Sequence, residues 1–307
     1  MNKSSKNYIW IIVVVVIIGG SMLLFSQQNN DTASNSDSRS NLYPEQAITH
    51  GHGLAVDVVD PNKLWIATHH GLLLLENEKD LYRVGKSKDD YMGLSVHPTD
   101  SHVFFTSGHP SFGGNLGFQK SEDNGATWKK ISNGANGPVD FHAMTVSPVN
   151  PNLVYGWYQG SLQRSEDQGK TWEIVNRDLL PVYLVADAED ENIVYAATPQ
   201  GQGVMVSNDK GASWVSLSPE LEAGAVSVIA VHPKNSNILM TFSERLGGLG
   251  KSTDGGKTFN KMDEDFNGET ILHIAFDKNS SGVMYALTHQ NALYKSSDTG
   301  ETWNKVR

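Results

Sequence analysis

Apolar positions along the chain fall into three regimes. From Tyr8 to Phe25 they are continuous, broken only by Gly19, Gly20 and Ser21. From Ser26 to Asn41 they nearly vanish, and Ala33 is the largest aliphatic side chain there. From Tyr43 onward they return as short β-prone runs, separated by turns rich in Pro, Asn, Asp and Gly. These runs predict an opening strand at Gly53–Asp57, Gly93–His97, Ala143–Ser147, Tyr183–Asp187, Val228–His232 and His273–Asp277. A turn such as Asp60-Pro61-Asn62 or Asn150-Pro151-Asn152 follows each. A second strand comes next, at Leu64–Thr68, Val103–Thr106, Leu153–Tyr158, Ile193–Thr198, Ile238–Phe242 and Val283–Leu287. Two further strands complete each unit, so the pattern predicts six four-stranded units.

The first regime predicts a membrane anchor over residues 1–25. Eighteen residues of helix span about 27 Å, close to the hydrocarbon core of a bilayer. Lys3 and Lys6 precede the run and Asp31 and Asp37 follow it, which leaves the N-terminus in the cytoplasm and the rest outside. The rival reading is a cleaved signal peptide, but Ser21-Met22-Leu23-Leu24-Phe25-Ser26 is too bulky for a small-x-small cleavage site. The second regime, residues 26–42, reads as a disordered Ser/Asn-rich tether, because it has too little apolar surface to offset the entropy of ordering. As a coil the sixteen residues Ser26–Asn41 reach on the order of 20 Å.

The third regime, residues 43–307, repeats itself. Lys120-Ser121-Glu122-Asp123-Asn124-Gly125-Ala126-Thr127-Trp128 returns at Arg164–Trp172, Val206–Trp214, Lys251–Phe259 and Lys295–Trp303. The aspartates (Asp123, Asp167, Asp209, Asp254, Asp298) are 44, 42, 45 and 44 residues apart. A period in the low forties suits one four-stranded propeller blade. Asp-x-Gly between two β-prone runs is a hairpin turn in which Gly supplies positive φ. The Ser and Asp side chains hydrogen-bond within that turn, and the aromatic residue opens the outgoing strand. A calcium loop would need further oxygen ligands at alternating positions, and no copy has them. The first unit lacks the motif, since Asn77–Asp80 offers neither Gly nor Trp. The expected fold is an all-β propeller of six blades rather than seven, each blade contiguous in sequence, with no strand shared across the seam.

Ser-x-Asp-x-Gly-x-Thr-Trp resembles the Asp-box, or BNR, repeat, over roughly residues 50–307. The resemblance implies a superfamily that includes sialidases, xyloglucan-active glycosidases, sortilin-like receptors and a photosystem assembly factor. It also includes bacillar surface propellers of the glycosyl hydrolase-like kind. It implies fold more than activity, because the superfamily mixes enzymes with binding proteins. A sialidase would need three arginines around a carboxylate. This chain has six arginines, of which only Arg177 and Arg245 fall on a suitable face, so that activity is excluded.

Strand order puts the boxes and the first-to-second-strand turns on one face. The loops between second and third strands and the links between blades occupy the other. That loop face collects seven of the eleven histidines: His50, His52, His69, His70, His109, His142 and His289. Converging imidazoles suit a divalent transition metal, and His50, His52, His70 and His142 are the candidate ligands. The competing reading is a wet channel mouth whose histidines bond to loop carbonyls, or a ligand pocket using His52, His69, His109, His142, Arg245 and Tyr183. Apart from such a metal no cofactor is expected. Carboxylates of the same face are Asp89, Asp90, Asp140 and Glu244. Asp140 and Glu244 are the candidate catalytic pair, because glycoside hydrolysis uses two.

Composition narrows the classes. Net charge is −10 with no basic run in the folded part, which excludes nucleic-acid binding. The absence of cysteine excludes disulfides, thiolate chemistry and a lipidated cysteine. The expectation is a monomeric, membrane-anchored extracytoplasmic propeller that binds a protein or glycan at its loop face. The alternative is a hydrolase of cell-wall or environmental polysaccharide.

Overall fold

Runs such as Leu72-Leu73-Leu74-Leu75 and Val228-Ile229-Ala230-Val231 are apolar on both faces, so each strand they form must be covered on both sides. Radial packing of several small sheets meets that demand. In a computed structural model of the chain, which describes residues 39–199, 201–280 and 282–307, six antiparallel sheets do so. Leu42–Arg307 form one compact unit, and it alone is described below. The anchor and most of the tether expected from the sequence lie outside the described residues. Among the described residues, no helix is long and apolar enough to cross a membrane.

Blade 1 contains β1 (Leu42–Pro44), β2 (Gly51–Val56), β3 (Lys63–Thr68), β4 (Gly71–Glu76) and β5 (Asp80–Val84), in the spatial order β1-β5-β4-β3-β2. Blade 2 is β6 (Asp90–Val96) to β9 (Lys129–Ser132), blade 3 is β10 (Ala143–Val146) to β13 (Glu173–Asn176), and blade 4 is β14 (Tyr183–Ala186) to β17 (Val215–Ser216). Blade 5 is β18 (Val226–Val231) to β21 (Asn260–Lys261), and blade 6 is β22 (Ile271–Phe276) to β25 (Asn304–Lys305). The innermost strand of each blade, which is β2 in blade 1 and the first strand in the others, lies beside those of both neighbours, and β22 returns to β2, which closes a ring of six.

One strand departs from the sequence reading. β1 begins at Leu42, and it adds a fifth, outermost strand to blade 1 with the register Leu42↔Val84, Tyr43↔Arg83, Pro44↔Tyr82. The Arg83 guanidinium lies 4.8 Å over the Tyr43 ring. Pro44 is tolerated there because β1 is an edge strand.

The boxes do two jobs. Within a blade the second box is representative. Ser165 Oγ donates to Asp167 Oδ1 at 2.8 Å and accepts from Gly169 N at 2.7 Å, while Asp167 accepts from the amide and hydroxyl of Thr171 at 2.9 and 2.7 Å. The residue before each box glycine also has positive φ, as at Gln168 (59°) and Gly169 (82°). Two successive left-handed residues match the twist of a tight hairpin.

Between blades, each box seats on the blade before it. A Cβ on Gly125 would lie 2.2 Å from Leu72 of blade 1. On Gly169 it would lie 2.0 Å from Phe118 of blade 2, and on Gly256 2.5 Å from Leu217 of blade 4. Ser132 Oγ donates to Gly169 O at 2.6 Å and accepts from Trp172 Nε1 at 2.8 Å. Arg164 donates to Lys210 O and Asn176 to Ala212 O in the same sense.

Among the described residues, the seam between blades 6 and 1 uses no shared strand, as the sequence implies. Leu54, Leu64, Leu73, Leu75 and Leu81 pack against Tyr285, Leu287 and Leu293. The boxless turn of blade 1 still occupies the box position. Its Glu78 pairs with Lys295 and accepts from Tyr285 OH at 3.2 Å. Arg307 donates to Gln46 O at 2.6 Å and to Lys79 O at 3.1 Å.

Candidate functional site

The central channel is unequal along its length. Towards the box face it widens into a cavity of about 460 Å³, lined by apolar residues of all six innermost strands such as Val56, Val96, Val146, Val185, Val231 and Phe276. Lys278 crosses this mouth to Pro98 O, and Lys234 reaches Asn279 O at 3.1 Å. Towards the loop face the channel narrows to about 20 Å³ between His52, His142, Tyr183 and His273, room for about one water. Imidazole and phenol rings at the entrance to the first strands fill that end.

Above the narrowing lies a histidine–carboxylate cluster built by blades 1 and 2. β2 and β3 change register between Gly51 and Gly53, which makes His52 the bulged residue; bulges re-aim side chains in this way. His50 precedes β2 with φ of 50°, and Gly51 N is held by Asn291 Oδ1 of blade 6 at 2.9 Å. His69 begins the two-residue turn between β3 and β4. His52 Nε2 lies 3.2 Å from His69 Nε2, and the ring of His50 stacks on that of His69 at 4.5 Å. One ligand atom from each of His50, His52 and His69 can be chosen so that all lie within 4.8 Å of one another.

Behind them stands Asp90, only 4% exposed. Its Oδ2 pairs with His69 Nδ1 and, at 3.3 Å, with His109 Nε2, while its Oδ1 is buried without a hydrogen-bond partner. Burial pushes the His52 imidazole down to about 4; His69 adds to this, and Asp90 only partly opposes it. His273 of blade 6, which packs on Tyr183 at 5.7 Å, is likewise pushed down to about 4 by burial. His142 goes the other way, because its hydrogen bond to Asp140 favours the imidazolium against burial.

The metal set expected from sequence is thus changed at two positions. His69 stands where His70 was expected, because His69 reaches Asp90 across the blade boundary while His70 occupies the tip of the turn, its amide held by Thr68 Oγ1. His142 bonds Asp140 Oδ2 at 3.2 Å instead of joining the three. Of the expected ligand-binding residues, His52, His69 and His109 surround Asp90. His142 and Tyr183 line the narrowing. Arg245 stands apart on blade 5, its stem against Gly224.

The expected catalytic pair is separated as well. Asp140 is buried on blade 3, with Oδ2 on His142 and Oδ1 without a partner. Glu244 is exposed on blade 5 and accepts from Ala225 N at 3.2 Å. No described hydrogen bond or cavity joins the two. Glu244 instead lines a loop-face recess of about 430 Å³ between blades 5 and 6, together with Ser227, Phe242, Ser243, Gly268 and Thr270. Gly268 and Thr270 bracket Glu269, whose Oε2 accepts from Thr288 Oγ1. Sequence reasoning passed over Glu269, which follows a 3-10 turn at Phe266–Gly268 in the link between blades. The signal available was its place in the link before an opening strand, shared by Asp140.

Five hydrogen-bonded boxes stand on six radial sheets, one of five strands and five of four. The chain is an Asp-box β-propeller. A family model described as Sortilin, neurotensin receptor 3, matches residues 247–307 of this propeller. A xyloglucanase of Hypocrea jecorina is 29% identical over 164 residues, 40% of this chain and 20% of that protein. The propeller thus spans about a fifth of that relative's length. Among solved structures, the GH74 enzyme of Niastella koreensis superposes with a TM-score of 0.63 at 13% identity, over 86% of this chain and 46% of that one. YCF48 bound to D1 peptide superposes with a TM-score of 0.55 at 14% identity, over 86% and 85%. These likenesses at low identity support the fold, and the xyloglucanase match adds a resemblance to glycoside hydrolases.

Proposed function

We propose that this propeller is a glycoside hydrolase-type protein that takes a polysaccharide chain across its loop face, with Glu244 and Glu269 as the acid pair. The observation that carries the reading is the recess between blades 5 and 6. Its volume lies within the ~300–1,000 Å³ of small-ligand sites. Its wall combines an aromatic face (Phe242), three hydroxyl groups and an exposed carboxylate, a lining suited to a sugar. The second carboxylate sits on the adjoining link, and two carboxylates flanking one bond are the machinery of glycoside hydrolysis. The xyloglucanase similarity supports a β-linked glucan as the first substrate to try. The apolar run from Tyr8 to Phe25 and the preceding lysines support a membrane-anchored, extracytoplasmic placement.

The experiment is a reducing-end assay of the full chain in detergent on xyloglucan, other β-glucans and peptidoglycan. Glu244→Gln or Glu269→Gln should lower turnover by about 100-fold or more while leaving binding in place. Turnover unaffected by either substitution, or absent on the whole panel, overturns the acid pair. A binding-only reading has one observation in its favour: the superposition with peptide-bound YCF48 spans most of both chains. Under that reading the recess holds ligand and no reducing ends appear.

A further inference from the structure

We propose a zinc-class divalent metal site at His50, His52 and His69, positioned by Asp90. It lies on blade 1, outside the recess of blades 5 and 6, and does not rest on the hydrolase reading. The argument starts from where protons can sit. His69 Nδ1 faces the buried Asp90 Oδ2, so Nδ1 carries the proton and His69 Nε2 presents a lone pair. His52 Nε2 lies 3.2 Å from that lone pair. Either a proton or a cation bridges the two nitrogens. Nitrogens bound to tetrahedral zinc at ~2.0–2.1 Å stand about 3.3 Å apart, and the observed spacing already matches. His50 is exposed and stacked on His69, and its ring completes a set of three ligand atoms within 4.8 Å.

Asp90 supplies the second, independent observation. Metal-bound imidazoles usually donate their other N–H to a carboxylate, which fixes tautomer and ring orientation. Asp90 holds His69 in this way, is itself braced by His109, and keeps Oδ1 buried and unpartnered within 3.8 Å of His52 Nε2. A buried carboxylate so arranged is costly without a cation to compensate it. Three imidazoles leave the fourth tetrahedral position for water or a ligand donor. The ligands are nitrogen rather than oxygen, which favours zinc, copper or nickel over calcium or magnesium.

The test uses the full chain, tag-free in detergent, stripped with chelator and titrated with zinc alone by calorimetry, with elemental analysis after dialysis. One zinc per chain is expected, with a tetrahedral cobalt spectrum on substitution. His50→Ala, exposed and outside any strand, and His69→Ala should abolish stoichiometric binding. Asp90→Asn should weaken it by about 10–100-fold. His102→Ala, on the box-face turn of blade 2, should leave it unchanged. Circular dichroism of each variant checks folding, and His50→Ala keeps the test open if His69→Ala unfolds. Zinc below stoichiometry in the parent, or full binding in a folded His50→Ala or His69→Ala chain, overturns the site.

Discussion

Replacing Gly169 with Ala separates the two jobs of the box. Gly169 has φ of 82°, and a left-handed Ala costs about 1–2 kcal/mol. The new Cβ would also stand 2.0 Å from Phe118 Cε1, on a ring that is fully buried and cannot swing aside. Forcing an extra carbon into a packed core costs about 1–3 kcal/mol. The sum is about 2–5 kcal/mol. Two other glycines calibrate the terms. Gly160 has φ of 76° and open space around its Cβ position, so Gly160→Ala carries the backbone cost alone. Gly211 has φ of 86°, and its nearest neighbour is Leu162 Cδ2 at 3.1 Å, a contact that a shift of a few tenths of an ångström relieves, so Gly211→Ala should stay close to Gly160→Ala. Urea unfolding followed by tryptophan fluorescence should therefore place Gly169→Ala below both by roughly 1–3 kcal/mol. Equal losses in all three variants would refute the claim that the box glycine is also a contact between blades.

Other outcomes are expected. The amide of Thr258 holds the Asp254 carboxyl at about 2, and the hydroxyl of Thr302 does the same for Asp298. A carboxyl depressed in the folded state stabilises fully above its unfolded pKa, and the stabilisation is lost as pH falls towards the folded value. Melting temperature should thus drop between about pH 4 and about pH 2, and less steeply in Asp254→Asn; an identical slope would contradict this. The His273 imidazole, pushed down to about 4, has the opposite origin: the unfolded chain binds a proton first, so stability should decline as pH falls from about 6.5 to about 4. A flat profile there, or the same slope in His273→Gln, would count against it. Arg307→Ala removes its two carbonyl contacts across the seam and should lower the urea midpoint by the equivalent of about 1 kcal/mol; no change would mean that those two contacts add nothing to stability.

The blade pattern was legible because the box is a local device. Ser, Asp, Gly and Thr bond one another within seven residues, so the motif must be contiguous in sequence. The opening strands were legible because they are apolar on both faces. β1 was not, since its three residues end in Pro and follow a polar stretch, and only pairing with β5 makes it a strand. The site was less legible than the fold. Whether His69 or His70 meets His52 depends on a bulge and a two-residue turn, which alternate-residue counting cannot resolve. Asp90 gains its importance from burial between two blades, and Glu269 from the recess beside it. Both depend on how neighbouring blades pack.

The seam at Arg307 and Gln46 has a topological consequence. Blades 2 to 6 are each contiguous, no strand is shared, and the Arg307 side chain reaches Gln46 O at 2.6 Å. Among the described residues, the two ends of the ring are neighbours joined by side-chain contacts. A short peptide joining residue 307 to residue 42 would leave every sheet intact. The ring could then be cut between any two blades, giving circular permutants in which the histidine cluster and the recess keep their places while the order of blades along the chain changes.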